Sequence, residues 1–251
     1  KHMKPSHPAP QAPSGRLLLV LSTLAQSHRP LSVGELVDST GLARSTIYRQ
    51  LAYLKQWGFA QESREAYAPG HACVQLGQGF DAASPLVRQA RPEMEWLMRQ
   101  TGESVGLVVA VNDCVVCLDM VESSQALRCS FEKGRSVLLR RGASAKCVLA
   151  HQTRAQRQAW AQKRINDPDA DPRDATLAEL DAIRAAGYAC STGEVDAGVW
   201  GVSAPIFGSR KRALGALTLM VPVLRTEGRE PALIQMTVVA AARVSRRTQS
   251  G

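Results

Sequence analysis

The sequence predicts an α+β protein with two domains: a small helical N-terminal domain and a larger one in which helices pack on an antiparallel sheet. Three observations lead to this prediction. Apolar residues recur at helical spacing up to Trp57. The segments 104–111 and 114–121 are separated only by Asn112 and Asp113, as in a β-hairpin. The length of 251 residues leaves about 150 for a second hydrophobic core.

The first domain begins with two predicted helices. The first is indicated by apolar residues at helical spacing, Leu17, Val20, Leu21 and Leu24. Ser32 and Glu35 form the S-x-x-E pattern of a capping box, which predicts that a second helix begins at Ser32. Gly41 stands where the chain leaves this helix, at a position that favours left-handed geometry.

A third helix is predicted from Ala43 to Trp57. At about 100° per residue, its core-facing stripe consists of Ala43, Ile47, Leu51 and Leu54. The first two turns of its outer surface carry Arg44, Ser45, Thr46, Tyr48 and Arg49. Hydroxyl groups suit phosphate oxygens, and an arginine bonds bidentately to guanine. In a helix-turn-helix, the N-terminal part of the second helix reaches the base edges. The pattern therefore predicts a helix that reads the major groove of DNA.

A short β-hairpin is predicted after this helix, with its turn at Ser63–Ala66. Three helices and a hairpin make a winged helix-turn-helix, and Arg64 in the turn is a further candidate for contacting DNA. The alternative is a structural three-helix bundle whose polar face is only solvated. The helix-turn-helix pattern alone does not exclude it.

The charge of the chain does not locate a site. The net charge is +9, of which residues 1–84 contribute +3 and the remaining residues +6. No apolar run approaches 18 residues, so no membrane span is predicted. Residues 1–14 lack the apolar region of a signal peptide and are predicted to be a disordered tail with a cloning scar at His2-Met3. We expect a cytoplasmic protein.

Six cysteines raise the question of a disulfide or a metal site. Without a secretory signal, a reducing compartment is expected. Cys114 and Cys117 form the one C-x-x-C pattern, but it lies in a predicted strand, where an odd offset places the two side chains on opposite faces. No second pair completes a zinc set. We expect no metal and no cofactor.

The rest of the chain is predicted to contain a connector and the second domain. Gly77 and Gly79 punctuate the connector, and a helix follows from Pro85 to Gln100, which Pro92 should kink or restart. After the hairpin at 104–121, strands are predicted at 127–131, 188–192, 199–207 and 213–221. Helices are predicted at 143–151, 154–164, 177–186 and 231–246.

The order of these motifs resembles the IclR family of bacterial transcription regulators. The resemblance rests on LSVGELVDSTGLARSTIYRQLAYLKQWGFA in the first domain and on TGESVGLVVA, CLDMVES, LRCSFEKGR, GASAKCVLA, LAELDAIRAAGYACSTGEVDAGVWGVSAPIF and GALTLMVP in the second. It implies a winged helix-turn-helix at 15–76, a linker helix region at 77–102 and a GAF-like effector-binding domain at 103–251. It also implies a homodimer or a dimer of dimers that binds double-stranded operator DNA.

The resemblance further implies a small-molecule effector, commonly a carboxylate or an aromatic compound. In the family, backbone N–H groups at the start of a short helix hold the effector, and donors at a helix N-terminus favour an anion. Carried over by position, the effector-binding residues are Cys129, Gly142, Ala143, Ser144, Ser191, Trp200, Gly201, Thr218 and Met220. Ser191 stands where the family often has an acid, and Gly201 where some members have cysteine. These departures predict a less polar and roomier pocket.

Arg140 and Arg141 occupy a place where the family usually has small residues or histidine. We hypothesise that one of them faces the pocket and pairs with an effector carboxylate. Solvent exposure of both is the alternative.

Two other functions stay open at this point. Ser144 lies near Lys146 and His151, as a hydrolase nucleophile near its bases would, but neither G-x-S-x-G nor S-x-x-K is present. A paralogue that binds a ligand and has lost DNA binding is the other alternative. The sequence does not indicate whether an effector releases DNA or strengthens its binding.

Overall fold

A computed structural model describes residues 12–129, 131–165, 167 and 170–250. The chain divides into two compact units, residues 1–84 and 85–251. Residues 1–11 of the expected tail lie outside the described part, and Pro13 and Ser14 already belong to the first helix. Within the described residues, no helix is long and apolar enough to span a membrane.

The N-terminal unit is a winged helix-turn-helix. It contains α1 (Pro13–Gln26), β1 (Leu31–Ser32), α2 (Val33–Thr40), α3 (Arg44–Gln56), β2 (Ala60–Ser63), β3 (Ala66–Pro69) and α4 (Ala72–Ala83). The three strands form an antiparallel sheet in the order β1-β3-β2. One core joins α1, α2, α3 and the sheet, and its largest fully buried side chains are Leu24, Leu36, Ile47 and Leu51.

Local sequence signals fix the ends of α2. The Ser32 hydroxyl accepts a hydrogen bond from the Glu35 backbone N–H, and the Glu35 carboxylate accepts one from the Ser32 N–H at 2.8 Å. Hydrogen bonds from Arg29 and Ser32 lower the pKa of Glu35 to about 2. Gly41 ends the helix with φ 68°, in the left-handed region. The predicted capping box and glycine cap are therefore confirmed.

One prediction for this unit is wrong in detail. Ala43 is exposed and caps α3, so it is not part of the core stripe, and Gln50 is buried instead. The part of the connector that contains Gly77 and Gly79 is the helix α4. In α4 no side chain is buried, and Val74, Leu76 and Phe80 are exposed.

The C-terminal unit is an antiparallel sheet with helices on both faces. Its elements are α5 (Pro85–Thr101), β4 (Ser104–Val111), β5 (Cys114–Val121), β6 (Ser136–Leu138), α6 (Ala143–Ala150), α7 (Arg154–Ile165), α8 (Leu177–Ala186), β7 (Ala189–Thr192), β8 (Val199–Phe207), β9 (Ala213–Pro222) and α9 (Glu230–Ser250). The strand order is β6-β5-β4-β9-β8-β7. With the N-terminal unit, this architecture confirms the predicted α+β fold class.

This unit has two hydrophobic cores, one on each face of the sheet, because successive side chains along a strand point to opposite faces. On β9, Leu217, Leu219 and Val221 face α5 and α9, where they pack with Met94, Leu97 and Val244. On the other face, Ala216 and Met220 pack with α6 and α8. Glu93 of α5 accepts hydrogen bonds from Arg247 at 2.6 Å and Arg243 at 3.4 Å, which ties α5 to α9.

Two further expectations for this unit need correction. The segment 127–131 is not a strand where it is described, because the edge of β5 is paired instead by β6, with Cys114 opposite Leu138. Helix α5 continues through Pro92, so of the two effects expected there the restart does not occur, and the kink stays a prediction.

All six cysteines are free thiols. Burial raises the pKa of five of them, Cys114, Cys117, Cys129, Cys147 and Cys190. For Cys117 the pKa rises to about 12. These thiols are therefore protonated at neutral pH.

The capping box predicts a measurable local stability. Ser32→Ala should lower the local stability of α2 by about 1 kcal/mol, because the N–H of Glu35 loses its acceptor. This corresponds to about fivefold faster amide exchange in α2, measured by mass spectrometry on peptides covering 33–40. Ser39→Ala is the matched control, since within the described chain the Ser39 hydroxyl makes no hydrogen bond. Equal exchange in both variants would contradict the capping role.

Candidate functional site

Helix α3 presents a polar surface because its apolar side chains hold it in the core. Ile47, Leu51 and Leu54 are at most 2% exposed. The candidate residues of its first two turns lie on the outside: Arg44, Ser45, Tyr48 and Arg49 are exposed, and Thr46 is half-buried. Within the described residues, Arg44 and Arg49 have no ion pair. Their guanidinium groups are therefore available to a ligand.

The hairpin places Arg64 at its tip. Ser63 pairs with Ala66, and Arg64 and Glu65 between them have φ of 49° and 60°. Two positive φ angles are what a two-residue type I′ turn requires, although neither residue is glycine. Arg64 is exposed at this tip.

A polar network ties the hairpin to the end of α3. Glu62 of β2 forms an ion pair with Lys55 of α3 and accepts a hydrogen bond from the Tyr67 hydroxyl at 2.9 Å. These hydrogen bonds, from Lys55 first and then Tyr67, lower the pKa of Glu62. Burial and the Glu62 carboxylate raise the pKa of Tyr67 to about 12. The network fixes the hairpin relative to the helix that carries the candidate DNA-contacting residues.

The C-terminal unit contains a cavity on the α6 side of its sheet. Its volume is about 60 Å³, well above the roughly 10–15 Å³ that a cavity needs to hold a water molecule. Seven of the nine predicted effector-binding residues line it: Gly142, Ala143, Ser144, Ser191, Gly201, Thr218 and Met220. The wall is completed by Phe131, Val137, Arg141, Val195, Asp196 and Val199.

Two predicted pocket residues do not line this cavity. Trp200 packs on the opposite face of the sheet, in the core with α5 and α9, because its neighbours Val199 and Gly201 take the cavity side of β8. Cys129 is half-buried and packs against the core on the α6 side of the sheet. The expected strand that was to carry Cys129 into the pocket does not form.

Two of the backbone donors at the start of α6 are already bound. Gly142 N–H donates to Glu194 Oε2 at 2.8 Å, and Ala143 N–H donates to Ser191 Oγ at 2.8 Å. Thr218 Oγ1 lies 3.1 Å from Ser144 Oγ, which links α6 to β9. Two of the groups expected to hold an effector anion, the N–H groups of Gly142 and Ala143, therefore hold protein oxygen atoms in this structure.

A buried lysine lies directly behind these donors. Lys146 is 4% exposed and its ammonium donates to Glu179 and Glu194, each at 2.8 Å. Burial lowers the pKa of Lys146, but the hydrogen bonds to the two carboxylates outweigh this and the pKa is raised. Sequence reasoning gave Lys146 only the role of a possible base. The sequence does contain an indication of this charge cluster, because Lys146 is a basic residue within a helix of otherwise mostly apolar residues.

The two arginines before α6 differ in position. Arg141 lines the cavity, as hypothesised for one of the pair, but its guanidinium is bound to Asp171 at 2.8 Å. Arg140 pairs with Asp167 at 3.0 Å and lies 3.6 Å from Asp174. An effector carboxylate at Arg141 would therefore have to share it with Asp171.

The geometry gives no support to a hydrolase reading of Ser144. Its hydroxyl bonds to Thr218, while Lys146 is engaged by two carboxylates. His151 Nδ1 lies 2.8 Å from the Cys147 carbonyl oxygen. Among the residues that the structure describes, no group of three His, Cys, Asp or Glu side chains could hold a metal ion.

A winged helix-turn-helix followed by a second domain with a cavity is the arrangement of a DNA-binding transcription regulator with a separate ligand-binding domain. Residues 15–64 match the IclR helix-turn-helix domain, and residues 82–246 match the C-terminal domain of the bacterial transcriptional regulator IclR. The chain belongs to the IclR family of bacterial transcriptional regulators. It is a regulator and not an enzyme.

Curated relatives and solved structures agree with this assignment. The chain is 27% identical to the transcriptional regulator KipR of Bacillus subtilis, covering 88% of the chain and 91% of the relative. It is 29% identical to BhcR of Paracoccus denitrificans, covering 91% and 84%. An IclR-type regulator from Silicibacter sp. TM1040 shares the fold, with a TM-score of 0.81, 24% identity and coverage of 94% and 96%.

A further structure is relevant to ligands. It is an IclR homologue from Microbacterium hydrocarbonoxydans, which was crystallised in complex with 4-hydroxybenzoate. It has a TM-score of 0.70 and 20% identity to this chain, with coverage of 96% of this chain and 100% of the homologue. At this identity the likeness establishes the shared fold.

The contact between Gly142 and the cavity wall predicts a specific intolerance. Gly142 has φ 85°, and a Cβ there would lie 2.6 Å from Val195 Cγ2. Gly134 has φ 84° but open space around its Cβ position. Both Gly→Ala changes should cost about 1–3 kcal/mol of backbone strain, and Gly142→Ala should cost more because of Val195. Thermal unfolding of the two variants measures the difference, and equal costs would contradict the contact.

Proposed function

We propose that this regulator reads operator DNA with α3 and the β2–β3 hairpin in the cytoplasm, and that a small organic carboxylate in the cavity modulates this binding. The observation that carries the proposal is the cavity itself. Its lining includes Gly142 and Ala143 at the N-terminus of α6, the hydroxyl-bearing residues Ser144, Ser191 and Thr218, and Arg141. The bound 4-hydroxybenzoate of the homologue supports a ligand of this chemistry.

The lining favours an apolar body with one anionic end. Phe131, Val137, Val199 and Met220 supply apolar surface, while the α6 N-terminus supplies donors that favour negative charge. At about 60 Å³, the cavity is much smaller than the roughly 150 Å³ of an apolar cavity that binds benzene. An aromatic acid would require part of the wall to move outward.

DNA contacts divide into two kinds under this proposal. Arg49, Tyr48 and Thr46, on the exposed first turns of α3, approach the base edges. Arg44, Ser45 and Arg64 bind phosphate oxygens and set the register of the domain. Two copies of the domain would read the two halves of an operator.

We place the contact between copies in the N-terminal unit at α4. Leu76, Phe80 and Ala83 repeat at i, i+4 and i+7, on a helix that buries no side chain in the single chain. Leu76 and Phe80 are 59% and 43% exposed. Apolar residues at this spacing form the seam of a helix pair. A second copy of the chain covers this face in the proposed homodimer.

The base-reading role of Arg49 can be measured with an operator selected in vitro from random duplexes by the wild-type protein. Arg49→Ala should weaken operator binding about 10- to 100-fold and reduce the preference over random DNA, because a bidentate base contact is lost. Arg210→Ala removes the same charge from the other unit and is the control. Unchanged sequence preference in Arg49→Ala would refute the assigned role.

The effector role of the cavity can be measured by thermal shift with acetate, pyruvate, benzoate and 4-hydroxybenzoate. A carboxylate present at about 100 times its Kd should stabilise the protein by about 2.7 kcal/mol. Gly201→Val should remove the shift, because Gly201 lines the cavity and the valine methyl groups take up part of its volume. The Cβ itself is accommodated, since it would lie 3.6 Å from Ala143 Cβ. A shift that persists in Gly201→Val would show that the acid binds elsewhere.

A further inference from the structure

Glu194 places a carboxylate of the protein itself at the start of α6. Its Oε2 accepts the Gly142 N–H and its Oε1 accepts the Lys146 ammonium, both at 2.8 Å. The side chain is 17% exposed. An anion held by a helix N-terminus and a buried cation has the same chemistry as the carboxylate of the proposed effector.

We propose that Glu194 is an internal competitor of the effector: the ligand carboxylate replaces it at the Gly142 N–H, and the loop 193–198 that carries Glu194 moves outward. This inference rests on the proposed carboxylate effector and adds the way in which its binding is sensed. Glu194 then sets the threshold concentration at which the regulator responds.

The charges at the site permit this exchange. When Glu194 leaves, Lys146 keeps its hydrogen bond to Glu179 at 2.8 Å, so no buried cation is left without a partner. The incoming carboxylate restores the charge that Glu194 removes. The exchange therefore avoids the large cost of an unpaired buried ion.

The loop is built to move as one piece. Gly193 and Gly198 border it with φ of 63° and 77°, in the left-handed region that glycine adopts without strain. Between them, Val195 and Asp196 form part of the cavity wall. An exposed ion pair between Asp196 and Arg135, at 3.1 Å, closes the loop over the cavity. Exposed pairs of this kind are weak and break at little cost.

Displacement of Glu194 also solves the size problem of the cavity. Val195 lies against Gly142, since a Cβ at that glycine would approach its Cγ2 to 2.6 Å. A carboxylate that takes the Gly142 N–H moves Glu194 and the adjoining Val195 together. The space for a ligand body larger than the present 60 Å³ opens in the same step.

The experiment is isothermal titration of the full-length protein with acetate and benzoate, and with acetamide and benzamide as uncharged counterparts. Glu194→Ala should bind the two carboxylates about tenfold more tightly than wild type, because the competing charged hydrogen bond is gone. The amides carry no charge and should gain clearly less than the carboxylates. Glu194→Gln keeps an oxygen acceptor and should fall between the two proteins, and thermal unfolding checks that each variant is folded.

Glu179→Ala is the matched control. It removes a carboxylate from the same lysine and changes the net charge equally, but leaves Gly142 bound to Glu194. Tighter carboxylate binding in Glu194→Ala alone supports the proposal. Equal tightening in both variants shows a general charge effect and overturns it, and so does weaker binding in Glu194→Ala. If neither carboxylate binds any of these proteins, both this inference and the carboxylate effector of the proposed function are refuted. If wild type and Glu194→Ala bind the carboxylates equally, only this inference is refuted.

Discussion

The pairing of β8 with β9 is the constraint on which the sensor domain depends. The two strands stay in one antiparallel register from Val199 opposite Pro222 to Ile206 opposite Gly215, and the register shifts only at Phe207. Because side chains alternate along both strands, each strand contributes to two environments at once. Gly201 and Thr218 line the cavity, while Trp200 and Leu219 pack against α5 and α9. A ligand that shifts these strands from one side therefore changes the packing of the helices on the other.

The same strands carry the elements that would respond to a ligand. Loop 193–198 joins β7 to β8, and Glu194 in it contacts the first residue before α6. On the opposite face, α5 is fixed to α9 through Glu93 and its two arginines. Helix α5 follows directly after the N-terminal unit in the chain. Only the β-sheet therefore separates the cavity from α5, the helix that follows the DNA-binding unit in the chain.

Much of this structure is predictable from the sequence where the signal is local. The capping box at Ser32, the glycine at position 41 and the apolar stripe of α3 are encoded within a few residues, and the structure contains them. The misplacement of Trp200 has a different cause. Proximity in sequence to Gly201 indicated the pocket, but adjacent residues of a strand face opposite sides. The segment 127–131 has the composition of a strand, but only a neighbour with free backbone groups makes one, and β6 takes that place.

Long-range contacts are what the sequence leaves undetermined. Nothing local shows that Glu194 reaches the amide of Gly142, since 52 residues separate them. The hydrogen bond of Arg141 to Asp171 is equally invisible before folding. The resemblance to a family supplied the positions of the cavity, and the contacts within it come only from the three-dimensional arrangement.

The raised pKa values of these cysteines have a consequence for their reactivity. Oxidants and electrophiles react with thiolates, and these five thiols, three of them buried and two half-buried, are held in the protonated form. All five lie in the unit that contains the cavity. At neutral pH they are therefore poor targets for oxidants, and a ligand in the cavity meets no reactive thiolate among them.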